Sequence, residues 1–276
     1  VLSWIKGAGG DVPGTVYSSD GRAVNAGGVT TFSRHAVVSE NRLTVLPDAT
    51  PMREAALIGC AVPTGVGAVW HTADPQSGQS LAVFGVGGVG LCAIAAAAAR
   101  ACEPVIAIDR NVSRLDCARR MGATHVIHVD ECDVLEAIRA IVPAGLDIAI
   151  EATGRPDVMR QALESVRPRG GRAVVIGNAP HGQTLWIDPQ QLNQGKRLLG
   201  TWGGDSVPQR DYSAYAQLIA SGGVDLSPLL DATYTLETIN DALDDLEAGR
   251  ATRPMVAMGD EVSVGLAGAC DAQEGR

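Results

Sequence analysis

The 276 residues are 46% hydrophobic and 19% charged, which makes a sizeable core available and excludes a disordered chain. Acids outnumber bases 31 to 22, and the net charge of −9 argues against nucleic acid or an anionic membrane as the main partner. No apolar run is long enough to cross a bilayer, because Arg100 and Glu103 cut the Ala-rich stretch after Gly90, and no signal-peptide pattern opens the chain.

The chain starts at Val1 without an initiator Met, in what reads as the middle of a strand over residues 1–5. We therefore expect the N-terminal part of a longer protein to be missing. Residues 1–61 are rich in Gly, Val and Thr and read as a β-rich segment too short and broken to be an independent domain. Alternation predicts a strand over residues 31–39 and another over 43–46, closed by Pro47-Asp48. Asp48-Ala49-Thr50-Pro51 then carries an N-cap and first-turn proline signature for a helix reaching Gly59. Helical pattern resumes over residues 64–71 and stops before Asp74-Pro75.

From Ser80 strands and helices alternate regularly. Apolar runs predict strands over residues 81–84, 105–108, 125–129, 146–151, 172–177 and 197–201, with helices over 91–102, 113–121 and 134–142 and from the 152–155 turn to 166. Six such runs separated by helices make an α/β, doubly wound parallel sheet. Two further helices follow over 212–221 and 236–249, the second with an acidic exposed face, and then a short strand over 255–258. From Gly259 onward the residues are small and polar, and a mobile tail is expected.

One stretch carries chemistry. The strand ending at Phe84 runs into Gly85-Val86-Gly87-Gly88-Val89-Gly90, a helix, a second strand and then Asp109, 19 residues after Gly90. The first glycine of such a motif permits a tight turn, the second admits a pyrophosphate close to the backbone, and the third lets helix pack on strand. The phosphates then meet the unpaired N–H groups and dipole of a helix N-terminus. Asp109 stands where a carboxylate accepts from the adenosine ribose hydroxyls. A plain glycine loop between core elements, or another nucleoside cofactor such as S-adenosylmethionine, are the competing readings.

With these residues in view the sequence resembles the zinc-containing, medium-chain alcohol dehydrogenases, from about Gly27 to Met258. The residues that carry the resemblance are Thr31-Phe32-Ser33, Ile58-Gly59-Cys60, Thr64-Gly65, the run from Ala82 to Gly90, Asp109, Gly122-Ala123-Thr124, Glu151-Ala152-Thr153-Gly154, and Gly249-Arg250 with Arg253. The resemblance implies four parts: residues 1–61 as the C-terminal portion of a GroES-like catalytic domain, 62–202 as a Rossmann NAD-binding domain, 203–258 as a segment returning to the catalytic domain, and 259–276 as the tail. It implies an oxidoreductase that moves hydride between NAD and a small alcohol or aldehyde. Cys60 then matches the third protein ligand of a catalytic zinc, a Lewis acid that leaves one position for the alcohol oxygen. Thr64, Gly85, Gly87, Gly88, Val89, Gly90, Asp109, Arg114, Ile176 and Arg253 are the cofactor contacts it implies, and no catalytic residue is assigned. It further implies a homodimer or homotetramer joined through the edge at residues 185–201.

Departures from the family pattern are as informative. The other two zinc ligands and the proton-relay hydroxyl belong to a segment absent from this chain, and residues 5–19 hold no cysteine where a structural-zinc lobe is expected. One zinc is therefore expected and a structural zinc is not, and the chain alone is expected to be inactive. A zinc-free quinone or enone reductase and a non-catalytic dinucleotide-binding protein are the alternatives. His35, His71, His125, His128 and His181 lack metal-ligand spacing, and His125 and His128 read as solvent or edge positions of their strand. No G-x-S-x-G elbow follows a strand, which sets a serine hydrolase aside. The six cysteines are scattered without a C-x-x-C pair; most fall in predicted helices of the glycine-rich domain and read as buried thiols, which fits a reducing cytoplasm. Arg114 is either a contact for the adenosine phosphate or a solvated helix-start charge, and Arg253 either reaches the pyrophosphate or is a surface arginine. Asp109 predicts NAD over NADP, and Arg110, next in sequence, could relieve only part of the repulsion.

Overall fold

The computed structural model describes residues 1–14, 16–25, 27–230, 232–259 and the backbone of 265–266. Strands β1 (Val16–Ser19) and β2 (Arg22–Asn25) form an antiparallel hairpin. Helix α1 (Met52–Ala55) passes through a 3-10 turn, Ala56–Gly59, into α2 (Ala61–Gly67), which widens into a π-type turn over Ala68–Ala73. Next come β3 (Leu81–Phe84), α3 (Gly88–Ala99), β4 (Val105–Asp109), α4 (Val112–Arg120), β5 (His125–His128), α5 (Val134–Ile141), β6 (Ile148–Glu151), α6 (Pro156–Ser165) and β7 (Arg172–Val175). After these lie α7 (Pro189–Asn193), β8 (Arg197–Gly200), α8 (Pro208–Ala220), β9 (Ala232–Thr235), α9 (Ile239–Glu247), β10 (Met255–Ala257) and β11 (Gly265–Leu266).

Six strands form one wholly parallel sheet in the order β5-β4-β3-β6-β7-β8. Every residue of β3, β4 and β6 is buried, as expected of strands covered on both faces by helices. The edge strands β5 and β8 are only partly covered, and His125 is exposed on the first of them. Helix α3 has no polar face, because it lies between the sheet and α2. Strand order reverses between β3 and β6, which opens a crevice beyond their C-terminal ends. The same apolar cluster that joins α2, α3 and the sheet takes in Tyr212, Tyr215 and Ile219 of α8.

The N-terminal region departs from expectation. No strand forms over residues 31–39 or 43–46; among the described residues only a single bridge, Leu2 to Leu43, touches the second of these. Phe32, Val37 and Val45 stand exposed, so the alternating apolar face has no described layer to pack on, and a ladder there gains no burial. Thr50 turns its hydroxyl back to the Pro47 carbonyl, and Pro51, not a polar side chain, occupies the N-cap position of α1. Strand β9 was not expected; it pairs in parallel with β10, about twenty residues away, and antiparallel with β11. The expected tail lies outside the described residues, apart from Gly259 and that pair of backbone positions.

Candidate functional site

The crevice at the strand-order switch is built by three turns. Gly85 leaves β3 with φ +85°, and a side chain there would lie 2.6 Å from the Thr153 methyl in the turn after β6. Gly87 is the N-cap of α3, and a Cβ on it would find open space on the crevice side. Gly90 faces back onto the turn, its hypothetical Cβ only 2.0 Å from the Gly85 carbonyl oxygen. Val89 is half-buried and packs against the core. The first turn of α3 carries no acidic residue, so its free amides and positive dipole end face the crevice uncompensated. Arg253, far along the chain, lies against this turn with its Cδ 3.2 Å from a Cβ placed on Gly88. The arrangement suits an anion.

On one side stands Asp109, 8% exposed at the end of β4. Its Oδ2 accepts from the Val86 amide at 2.8 Å and its Oδ1 from the Asn111 amide at 2.9 Å. Each oxygen keeps a further lone pair. Arg110 points away toward Asp130 at 3.9 Å, while its carbonyl meets His128 Nε2. Asn111 caps α4 through the Arg114 amide and donates its side-chain N–H to the Gly249 carbonyl. Arg114 is half-buried and its Nε has no hydrogen-bond partner. On the other side, the Ile176 amide donates to the Glu151 backbone carbonyl at the end of β7. Thr64 on α2 donates its hydroxyl to the Cys60 carbonyl at 2.8 Å, and Cys60 is half-buried at the kink where α2 begins.

The sequence reading missed the part played by Glu151. It is fully buried, and its Oε1 accepts from the amides of Thr153 and Gly154 at 2.7 and 2.9 Å, which fixes the turn that touches Gly85. Its Oε2 has no partner. The motif Glu151-Ala152-Thr153-Gly154 was the only signal, and nothing in it says which amides the carboxylate would collect. Cys92, beside the glycine turn, is held as a thiol, since burial pushes it up to about 12. Among the described residues, Cys60, Cys92, Cys102, Cys117 and Cys132 form no disulfide.

A polar cluster lies behind α2. His71 Nε2 meets the Tyr215 hydroxyl at 3.0 Å and stands 3.5 Å from Asp211 Oδ2. Burial lowers the His71 pKa below its ordinary 6.5; Arg210 and Arg100 act the same way, and Asp211 and Asp205 oppose. Between the folded midpoint and 6.5 the unfolded chain therefore binds more protons, and stability rises with pH. The contribution is complete above about pH 7 and is lost as pH falls through 6.5 toward the folded value. Thermal unfolding between pH 5 and 7.5 is expected to show that decline, and His71→Gln is expected to flatten it; an equally steep decline in the variant removes His71 as its source.

The family model for zinc-binding dehydrogenases matches residues 88–221. An S-(hydroxymethyl)glutathione dehydrogenase of Escherichia coli O157:H7 is 36% identical over 231 residues, covering 83% of this chain and 63% of that protein. The solved structure of an alcohol dehydrogenase zinc-binding domain protein from Burkholderia ambifaria superposes with a TM-score of 0.78 at 35% identity, over 81% of this chain and 60% of the other. Benzyl alcohol dehydrogenase from Acinetobacter calcoaceticus gives 0.77 at 30% identity, over 81% and 62%. The chain thus spans less than two thirds of the length of the relatives it matches.

Proposed function

This chain belongs to the zinc-binding dehydrogenase family, and we propose that it binds NAD and takes part in hydride transfer between that cofactor and a small alcohol or aldehyde. The single observation that carries the reading is the crevice itself: an uncompensated helix N-terminus at Gly87–Gly88, Arg253 laid against it, and Asp109 buried at the end of β4. In this reading the amides of the first turn of α3 and Arg253 hold the pyrophosphate, and the free lone pairs of Asp109 take the ribose hydroxyls. Arg114 flanks the adenosine, while Thr64 and Ile176 contact the far end. The cofactor supplies the hydride chemistry, and these residues supply its orientation. Residues 62–202 are read as the nucleotide unit and 203–258 as the returning segment.

Zinc enters the proposal only through Cys60. Among the described residues no three His, Cys, Asp or Glu side chains come together, so those residues do not make a zinc centre by themselves. Calorimetric titration of the chain with NADH, followed by turnover with primary alcohols in the full-length protein that the sequence leads us to expect, tests the reading. Saturable binding with turnover supports a dehydrogenase, binding without turnover leaves a dinucleotide-binding protein, and no binding overturns both.

The proposal extends to assembly as a homodimer or homotetramer. Strand β8 is the sheet's open edge, with Leu198 and Leu199 only half-buried, and Trp186 shortly before it is 79% exposed. An uncovered strand edge of this kind is a hazard in a monomer. Sedimentation at micromolar concentration is expected to give at least twice the mass of the chain; a monomeric mass removes the edge from consideration.

A further inference from the structure

Helix α2 carries Cys60 at its entrance and Thr64 one turn on, and the backbone around that entrance is tied to α8 by buried hydroxyls at two points one turn apart. Just before the helix the Ser3 hydroxyl bonds the Gly59 carbonyl at 3.1 Å and lies 2.6 Å from the Tyr212 hydroxyl. In its first turn, the Ser206 hydroxyl bonds the Pro63 carbonyl at 2.8 Å and lies 2.8 Å from the Tyr215 hydroxyl. All four side chains are buried, both tyrosines at 1% exposure or less.

The direction of each chain follows from its end. A carbonyl oxygen only accepts, so Ser3 and Ser206 spend their protons on Gly59 and Pro63. Tyr212 and Tyr215 must then donate to the serines, and His71 Nε2–H donates to Tyr215. Burial raises both tyrosine pKa values, which keeps the phenols protonated as donors. A chain that finishes on an amide carbonyl has nowhere to deliver a proton, so this is a holding device and not a proton relay. The seat has no slack: a Cβ on Gly67 would fall 2.3 Å from the Gly204 carbonyl oxygen and 2.4 Å from Ser206 Oγ. Tyr212 and Tyr215 stand three residues apart on α8, hence on one face, which lets one rigid helix grip both points at the entrance of α2.

We propose that Tyr212 and Tyr215 are positioning residues which, through Ser3 and Ser206, set the backbone that presents Cys60 and Thr64 to the crevice. The functional part of this rests on the reading of Cys60 and Thr64 as site residues; the mechanical part does not. The test compares Tyr212→Phe and Tyr215→Phe with Tyr234→Phe, a change that removes a tyrosine-to-carboxylate hydrogen bond away from α2, at Asp245. Two quantities are read for each: the rate of Cys60 alkylation by iodoacetamide, followed by mass spectrometry of its own peptide, and the NADH dissociation constant.

Loosening one of the two ties is expected to speed Cys60 alkylation about fivefold and to weaken NADH binding by a similar factor, the size of one lost hydrogen bond. Tyr234→Phe is expected to change neither. Equal alkylation rates in all four proteins overturn the proposal, whatever happens to their melting temperatures. If NADH fails to bind the unaltered chain, the proposed function falls while the alkylation comparison still decides the clamp. Should either phenylalanine variant fail to fold, Ser3→Ala and Ser206→Ala break the same chains with smaller changes. Alkylation at the unaltered rate in both serine variants then counts against the clamp.

Discussion

Gly90→Ala is expected to lose NADH affinity by about 100-fold and to melt several degrees lower than the unaltered chain. The added Cβ would sit 2.0 Å from the Gly85 carbonyl oxygen and 3.0 Å from its carbon, with the Val83 side chain at 3.3 Å. These first two atoms are backbone, and that backbone is pinned: the Gly85 amide bonds the Ile108 carbonyl, and the Gly85 Cα abuts the Thr153 turn. Either α3 moves off the sheet or the turn that faces the ligand is displaced by about an ångström, and overpacking of this kind costs about 1–3 kcal/mol. Misplacing the donors that hold a pyrophosphate by that distance is worth about another factor of a hundred. Gly87→Ala is the matched control. A methyl there meets nothing within 4 Å, and its φ of −72° suits alanine, so folding is expected to be unchanged while binding falls because the methyl occupies the approach to the helix N-terminus. Calorimetric melting and NADH titration of both variants separate the two effects. A Gly90→Ala protein with unaltered melting and binding removes the third glycine from the site.

The contrast between these two glycines also shows what kind of information a sequence holds. The unit from Ser80 to Asp109 was legible because its determinants are local: strands buried on both faces read as unbroken apolar runs, and the glycine spacing and terminal acid follow within thirty residues. Residues 31–39 misled because alternation reports an amphipathic face and is silent about what covers it; Phe32 and Val37 remain exposed. Strand β9 escaped notice because Ala232–Thr235 is four residues long and finds its partner, β10, across an intervening helix. The grip on α2 was invisible for the same reason on a larger scale. Ser3 and Tyr212 are separated by 209 residues, and a serine near one end of a chain carries no mark of the tyrosine it will meet. Glu151 lies between these cases: its motif was recognisable, but its bonds to Thr153 and Gly154 belong to the folded turn.

Asp109 is expected to make the chain prefer NAD over NADP by about 100-fold. A carboxylate held on the ribose side faces the 2′-phosphate of NADP as a like charge, a juxtaposition worth about several kcal/mol across an interface. Two backbone amides fix the carboxylate, Val86 on Oδ2 and Asn111 on Oδ1, so it cannot swing aside to admit the phosphate without orphaning one of them. Arg110, the neighbour best placed in sequence to offset the repulsion, is 71% exposed and oriented toward Asp130. If Arg114 flanks the adenosine as proposed, its unpartnered Nε offers a further source of relief, and the preference is expected to stop at about two orders of magnitude. The same two amides make substitution at this position an impure test. Asp109→Gly removes the charge and also the anchors of the Val86 and Asn111 amides, so weak binding of either cofactor is expected there, not a reversal of preference. Asp109→Asn presents its NH₂ to one of the two amides, donor against donor, and is expected to lose about tenfold or more in NAD affinity with a lower melting temperature. The decisive measurement is therefore on the unaltered chain: paired titrations with NAD and NADP at low and high salt. A ratio that narrows as salt rises identifies charge as the cause, because screening weakens the repulsion. Equal dissociation constants at low salt would sink the assignment of Asp109 to the ribose.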